Sequence, residues 1–247
     1  MILPEWTTIN IVLYTMLAIL VLGVAPAELS GWSMMYYSKF RKDSGISGRA
    51  GMVFLYSMPI VVLTILAWSY LPNAAFVQWA VYLAVALHFL KRVLESLFLH
   101  RYSGPIDPFT TLMIAAFYSF CAGMIGWLNH NPWTAVDVWF GLGIFIFVVG
   151  MSGNFYHHKL LADLRKNSLD YFIPKGGLFD YVVCPHYLFE ILTWLGIALL
   201  SRHLAAWMTL LFIIFYLSAR ALRALRWYHS KFTGFPKDRK AILPFVL

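Results

Sequence analysis

Long apolar runs recur along the chain, and most polar residues lie in the segments between them. Each run carries about 20 apolar residues, the length that an α-helix needs to cross about 30 Å of hydrocarbon. The predicted spans cover residues 9–27, 51–71, 75–95, 109–128, 135–153, 182–201 and 204–220. The pattern therefore predicts an all-α membrane protein with seven transmembrane helices, cytoplasmic loops and a basic C-terminal tail.

The connections between the predicted spans alternate between short and long. Lys and Arg are concentrated in or beside the long connections, 28–50, 96–108 and 154–181, and in the tail that begins at residue 221. Of the 19 basic residues, all except Arg202 fall on this side of the predicted bundle. Because basic residues favour the cytoplasmic side of a membrane, we expect the long connections and the C-terminus in the cytosol.

The composition excludes an ordinary soluble domain. Of the 247 residues, 61% are hydrophobic, and the mean hydropathy is +0.70, whereas soluble domains average about half apolar residues. We therefore expect residues 1–247 to form a single integral membrane domain, in a bacterial inner membrane or the endoplasmic reticulum. No Lys or Arg precedes the first run, and Glu5 does, which favours a retained span over a cleaved signal peptide.

The net charge of +8 has two interpretations. It reflects either lipid headgroup attraction together with the topology bias, or a bound anion. We expect membrane lipids rather than nucleic acid as partners, and a monomer. The two cysteines, Cys121 and Cys184, lie in or beside apolar runs, so the sequence predicts neither a disulfide framework nor a metal site.

Ionisable residues inside the predicted spans carry the functional signal. Each costs roughly 2.5–3.5 kcal/mol to insert, so it needs a partner, a water-filled cavity or a ligand. In "HFLKRVLESLFLHR", helical periodicity aligns His88, Arg92 and Glu95 on one face. The alternative is a helix that runs into the cytosol, with Glu95 paired to Arg92.

Two further clusters follow the same pattern. In "GNFYHHKLLADLRK", Asn154, His158 and Arg165 share one helix face. In "VCPHYLFEILTW", His186 and Glu190 are i, i+4 neighbours at the start of the sixth span. We expect both clusters to lie at the cytoplasmic ends of their helices.

The fourth cluster, "RALRALRWYHSKF", repeats arginine at every third position, Arg220, Arg223 and Arg226, with Tyr228 just beyond. A basic and aromatic helix after a last span is often only an interfacial anchor. Together, however, the four clusters could wall one cytoplasmic cavity that is rich in Arg, His, Glu and Tyr.

The side chains of this predicted cavity favour a dinucleotide. Arginine guanidinium groups bind phosphate bidentately, and a carboxylate such as Glu190 accepts from an amide or a ribose hydroxyl. No G-x-G-x-x-G motif is present, so a Rossmann site is excluded. The Gly-Gly segment of "IPKGGLFDY" either lets backbone approach a ligand closely or is only a turn.

Residues 80–247 resemble the steroid 5α-reductase family, which includes the trans-2-enoyl-CoA reductases of fatty-acid elongation. The resemblance is carried, in the family's order, by "HFLKRVLESLFLHRYS", "GNFYHHKLLADLRK", "YFIPKGGLFDYVVCPHYLFEILTW" and "FPKDRKAILPFVL". Residues 1–79 match only weakly, through "YYSKF" and "GRAGMVFLYSMP".

The resemblance implies a seven-helix membrane enzyme that reduces a C=C bond conjugated to a carbonyl, with NADPH held in the bundle. It implies cofactor roles for Tyr37, Lys39, Arg92, Arg101, Asn154, Arg165, Tyr171, Glu190, Arg220 and Tyr228. Arg165, Arg220 and Arg223 are the candidates for the phosphates. His186, where the family commonly has Asn, joins Glu190 for the nicotinamide amide and ribose. His158 stands where steroid reductases carry Asp, as in the enoyl reductases.

Two departures favour the enoyl-type site. Steroid reductases place a Gln-Glu pair and a Tyr at positions that read Tyr56-Ser57 and Phe89 here. The enoyl reductases have a Tyr at the position of Tyr187, proposed to act at the thioester carbonyl. We expect Tyr187, and second Tyr56, to donate to the carbonyl oxygen as hydride reaches the β-carbon, with Glu190 orienting the nicotinamide. Otherwise Tyr187 is only an interfacial aromatic residue.

Other functions are compatible with this pattern. One is a membrane methyltransferase of the isoprenylcysteine type, which uses S-adenosylmethionine. Another is a non-catalytic lipid-binding or scaffold protein. For the reductase, the expected substrate is lipid-soluble, a sterol, an enoyl-CoA or a polyprenol, and enters laterally from the bilayer.

Overall fold

The computed structural model describes residues 1–32, 40, 44–168 and 170–247, and these residues form a helical bundle. Each predicted span overlaps one long helix. Their bounds are α1 Thr8–Leu29, α2 Gly48–Ala67, α3 Phe76–Leu94, α4 Pro108–Leu128, α5 Val138–Leu164, α6 Pro185–Ser201 and α7 Leu204–Lys231. In the described ranges, extended pairing is limited to isolated bridges such as the one between Ile46 and Ile106.

Five of these helices, α1, α2, α4, α5 and α7, are long and apolar enough to cross a membrane. They indicate an integral membrane protein. The other two differ from this group because α3 ends in basic residues and α6 has only 17 residues. Both α3 and α6 carry polar clusters that the sequence analysis singled out.

The two ends of the bundle are defined by contacts between α1 and α7, which run parallel. At one end, the backbone N–H of Ile2 donates to Arg202 O over 2.7 Å. At the other end, Arg220 of α7 donates to Glu28 of α1 over 2.8 Å. The C-terminal ends of the first and last helices therefore lie on the same side of the bundle.

Close packing of α5 against α6 depends on small residues. A Cβ atom added at Gly150 would lie 2.4 Å from the backbone nitrogen of Thr193. A Cβ atom added at Gly196 would lie 2.6 Å from the backbone nitrogen of Phe147. Small residues let helix backbones approach closely, and here they bring the polar faces of α5 and α6 together.

The C-terminal part differs from the predicted basic tail. α7 continues as a helix to Lys231, past the predicted end of the span at residue 220. The chain then returns to the start of α6, where the N–H groups of Val183 and Cys184 donate to Lys240 O and Ala241 O over 2.9 and 3.0 Å. Because Ala241 and Ile242 are buried there, part of the tail is packed structure rather than a solvated extension.

Candidate active site

A cavity of about 250 Å³ lies at the end of the bundle where the long connections gather. It is far larger than the space of one water molecule, about 30 Å³, so it is not a packing defect. Most of the predicted site residues line it: Tyr56, Arg92, Arg101, Asn154, His158, Arg165, His186, Tyr187, Glu190, Arg220 and Tyr228. The four sequence clusters therefore meet at one chamber.

Four predicted residues do not belong to this lining as described. Tyr37 and Lys39 lie outside the described residues. Tyr171 does not line the cavity but contacts a residue that does, because its ring lies 4.3 Å from the guanidinium carbon of Arg165. Arg223 donates to Glu28 over 2.7 Å instead of facing the cavity.

The end of α3 supplies the first polar group of the wall. Arg92 donates to Glu95 Oε2 over 2.5 Å and to the Tyr56 hydroxyl over 2.8 Å. Glu95 is only 3% exposed. The pairing of Glu95 with Arg92 is thus present, but it is buried rather than solvated. A π-helical turn, Glu95–Leu99, follows, and such turns are frequent at functional sites.

The bond between Arg92 and Tyr56 has a defined direction. A guanidinium group can only donate, so the Tyr56 oxygen accepts. Tyr56 also lines the cavity, so Arg92 fixes the position of a phenol oxygen in the wall.

The second polar group joins α5 and α6. Asn154 Nδ2 donates to His186 O over 2.8 Å and to Glu190 Oε2 over 3.2 Å. His88 Nε2 of α3 lies 3.3 Å from the other carboxylate oxygen of Glu190. Tyr187 lines the cavity on the same helix, with its ring centroid 4.4 Å from that of His186.

Glu28, which is not among the predicted site residues, pairs with two arginines of α7. Glu28 is completely buried, and its Oε1 accepts from Arg220 over 2.8 Å and from Arg223 over 2.7 Å. Both guanidinium groups also lie within 4.6 Å of the Phe40 ring. The available signal is a carboxylate directly after the predicted span 9–27, where an ionisable side chain needs a partner or access to water.

Five other polar residues lie in or near the cavity wall: His88, Lys91, Glu95, His100 and Arg239. His88 and Glu95 belong to the first predicted cluster, whereas Lys91, His100 and Arg239 have no predicted role at the site. Arg239, in the returning tail, is buried and donates to Pro174 O over 2.8 Å. The Gly-Gly segment does not line the cavity. It forms a turn, in which Leu178 N donates to His157 Nε2 of α5 over 3.1 Å.

Glu95, His100 and His158 form a group that could hold a metal ion, with ligand atoms within 4.8 Å of one another. The Arg92 guanidinium already lies among these atoms, 2.9 Å from His158 Nδ1. A cation held by the protein thus contacts the atoms that a metal would use. The absence of a metal from the function stays a prediction.

Two titratable groups in the connection after α3 are shifted. Burial, and after it the neighbouring His158 and Arg92, hold the pKa of His100 well below its ordinary value of 6.5. Burial raises the pKa of Tyr102 above 10.0. Near neutral pH both side chains are therefore uncharged, and the fixed positive charge of the cavity comes from arginines.

The cavity also has an apolar wall, contributed by α2, α4 and α7. It consists of Met52, Tyr118, Ile213, Tyr216 and Leu217. Arg101 and Arg165 line the cavity and are at least partly exposed to solvent. The lining of the chamber therefore offers both cationic and apolar groups to a ligand.

A family model described as 3-oxo-5-alpha-steroid 4-dehydrogenase matches residues 106–247, more than half of the chain. The chain belongs to the 3-oxo-5-alpha-steroid 4-dehydrogenase family. The match covers α4 to α7, and so includes Asn154, Tyr187 and Glu190. Tyr56 and Arg92 are contributed by helices that precede the match.

Curated relatives of the 3-oxo-5-alpha-steroid 4-dehydrogenase family include two kinds of reductase. A very-long-chain enoyl-CoA reductase of Dictyostelium discoideum is 30% identical over 87% of this chain and 70% of its own length. The 3-oxo-5-alpha-steroid 4-dehydrogenase 2 of Homo sapiens is 33% identical over 65% of both chains. The steroid 5-alpha-reductase DET2 of Solanum lycopersicum is 40% identical over 49% of both chains.

This chain thus spans 49% to 70% of the length of these relatives. The family and its curated members place the chain among the oxidoreductases.

Proposed function

We propose that the protein is an NADPH-dependent reductase of a C=C bond conjugated to a carbonyl in a lipid substrate. In this proposal, all seven long helices cross the membrane and the C-terminus lies in the cytosol. The observation that carries the proposal is one cavity that unites cationic, amide and phenol groups from separate helices with an apolar wall. A trans-2-enoyl thioester is the preferred substrate over a 3-oxo-4-ene steroid.

The residues of the cavity fit a phosphorylated dinucleotide. Arg101 and Arg165 line the cavity and are at least partly exposed, so in this proposal they bind the phosphates. Arg220 is already shared with Glu28, so its role is to position that wall as well as to attract an anion. Glu190 offers a carboxylate acceptor for a carboxamide, and its side chain is 15% exposed. Bound NADPH would supply a hydride, which is chemistry that belongs to the cofactor.

Two phenols could stabilise the charge that develops during reduction. As hydride adds to the β-carbon, negative charge grows on the carbonyl oxygen, and a donor aimed at that oxygen lowers the barrier. Tyr187 is the first candidate donor. Tyr56 is the second, because it lines the cavity and Arg92 fixes the position of its hydroxyl oxygen.

The preference for an enoyl thioester rests on residues rather than on cavity shape. Steroid reductases have a Gln-Glu pair and a tyrosine at positions where this chain has Tyr56-Ser57 and Phe89. Phe89 is fully buried against Tyr118 and Trp194, so it has no polar group to offer a ketone.

The test is consumption of NADPH by the purified protein in bilayers, against a long trans-2-enoyl-CoA, a 3-oxo-4-ene steroid and a polyprenol. We expect NADPH to be retained on purification and consumed fastest with the enoyl-CoA. Retention of S-adenosylmethionine without NADPH would instead favour a methyltransferase. Binding of lipid with neither cofactor would favour a non-catalytic protein.

Replacing Tyr187→Phe tests the proposed donor. Loss of one such donor typically lowers turnover by about 10²–10³-fold, while NADPH affinity should stay close to that of the wild type. The measurement is kcat together with the dissociation constant of NADPH. Tyr181→Phe is a matched control, because Tyr181 is exposed and contacts Phe245 outside the cavity. Full turnover in Tyr187→Phe would exclude the role.

A further inference from the structure

Lys91 is a mostly buried cation, and the sequence predicts only its place on the basic side of the bundle. Its side chain is 13% exposed, and Nζ forms an ion pair with Glu95 Oε1 over 2.9 Å. Nζ also donates to Asn154 Oδ1. Lys91 is not among the residues that line the cavity, so any influence on a ligand must pass through these neighbours.

The bond from Lys91 determines which way the Asn154 amide points. An asparagine amide has one accepting oxygen and one donating nitrogen. With Oδ1 on the ammonium group, Nδ2 is directed to His186 O and Glu190 Oε2. The flipped amide would set its oxygen against these two acceptors and its NH₂ group against the ammonium of Lys91.

As a consequence, each oxygen of the Glu190 carboxylate has a partner within the protein. Asn154 donates to one oxygen, and His88 Nε2 lies 3.3 Å from the other. The Asn154 amide lies between Lys91 and Glu190, so the positive charge of Lys91 is also close to the Glu190 carboxylate. The carboxylate that faces the cavity therefore has a fixed orientation, which it needs in order to accept from a ligand.

We propose that Lys91 is a positioning residue, which fixes the Asn154 amide and through it the Glu190 carboxylate for the nicotinamide end of the cofactor. This inference rests on the proposed reductase function. It predicts that the effect of Lys91 on cofactor binding requires Asn154, which in turn orients Glu190. A lysine with a purely structural role would affect folding without acting on cofactor affinity through Asn154.

The first experiment compares NADPH binding by Lys91→Met and the wild type. Hydrogen bonds to charged groups are worth enough to change affinity about 10- to 100-fold, so we expect a rise of this size in the dissociation constant. Lys91→Gln keeps a donor and most of the volume, so it should lose less. Lys159→Met is the matched control, because Lys159 is an exposed lysine paired with Asp163, and it should bind NADPH like the wild type.

A double-mutant cycle separates positioning from general destabilisation. In an Asn154→Leu background, Lys91 has no amide to orient, so Lys91→Met should change NADPH affinity by less than threefold, or about 0.6 kcal/mol at most. Full additivity of the two substitutions would overturn the proposal, as would wild-type affinity in Lys91→Met. Should Lys91→Met fail to fold, Lys91→Gln enters the same cycle.

The outcomes also separate this inference from the function on which it rests. A folded wild-type protein that does not bind NADPH would contradict the proposed reductase. A wild-type protein that binds NADPH, with Lys91 variants that bind it equally well, would contradict only the role of Lys91.

Discussion

At the scale of single residues, buried charges are the most informative feature of this protein. An ionisable side chain in an apolar helix needs a partner, and the structure supplies one for Arg92, Glu190 and Arg220 at the cavity. Glu28 is the clearest case, because it is 0% exposed and accepts from two arginines of another helix. The pairing joins the end of α1 to the cavity wall.

Replacing Glu28→Gln should destabilise the protein and disturb the cavity together. Removing one partner of a buried ion pair typically costs about 3–5 kcal/mol, because the remaining charge stays buried. We expect a lower melting temperature in detergent and weaker NADPH binding. Glu5→Gln is the control, since Glu5 is exposed. An unchanged melting temperature in Glu28→Gln would show that the pair does not hold α1 against α7.

Residue identity alone predicted many of the cavity residues but few of their partners. Asn154, His158 and Glu190 were found because polar residues aligned on an apolar helix demand an explanation. Glu28 and Lys91 were missed for different reasons. The partners of Glu28 lie on the last helix, far away in the sequence, and the basic charge of Lys91 was already explained by the topology rule.

At the scale of elements, the pairing of α5 with α6 positions the site. Gly150 and Gly196 allow backbone contact between these helices, and the same helices carry Asn154 and Glu190. The hydrogen bond of 3.2 Å between these two residues therefore depends on the glycines.

Replacing Gly150→Ala tests this dependence. The added methyl would lie 2.4 Å from Thr193 N, so α5 and α6 must move apart and overpacking should cost about 1–3 kcal/mol. We expect a lower melting temperature and weaker NADPH binding. Gly141→Ala on the same helix is the matched control, because nothing lies within 4 Å of its added Cβ. Equal behaviour of the two variants would contradict a positioning role for the contact.

Apolar periodicity predicted the helices better than it predicted their ends. Seven predicted spans each overlap one helix, yet α7 extends to Lys231 and the tail folds back onto α6. A hydropathy pattern indicates which apolar face contacts lipid or the core. It does not indicate that Phe235 and Ile242 of the returning chain pack over the polar end of α7.

At the scale of the whole molecule, the two ends of the bundle have different chemistry. At the end opposite the cavity, Arg202 donates to Asp137. Arg202 is the one basic residue that the sequence pattern assigns to that side, and it is paired there. Asp137 lies outside the apolar helices, and its bond to Arg202 lowers its pKa to about 2. At the other end, Arg92, Arg101, Arg165 and Arg220 line a cavity that also has an apolar wall. This asymmetry suits a nucleotide that arrives from the cytosol and a substrate that arrives from the bilayer.

The most direct test of this arrangement follows a labelled hydride from cofactor to substrate. The purified protein in bilayers is supplied with NADPH that carries deuterium at nicotinamide C4 and with a long trans-2-enoyl-CoA, and the product is examined by mass spectrometry and NMR. We predict deuterium on the carbon β to the carbonyl, with one NADPH consumed per product. Product without deuterium from either face of the nicotinamide, or no consumption of NADPH with any lipid of the panel, would contradict the reductase function.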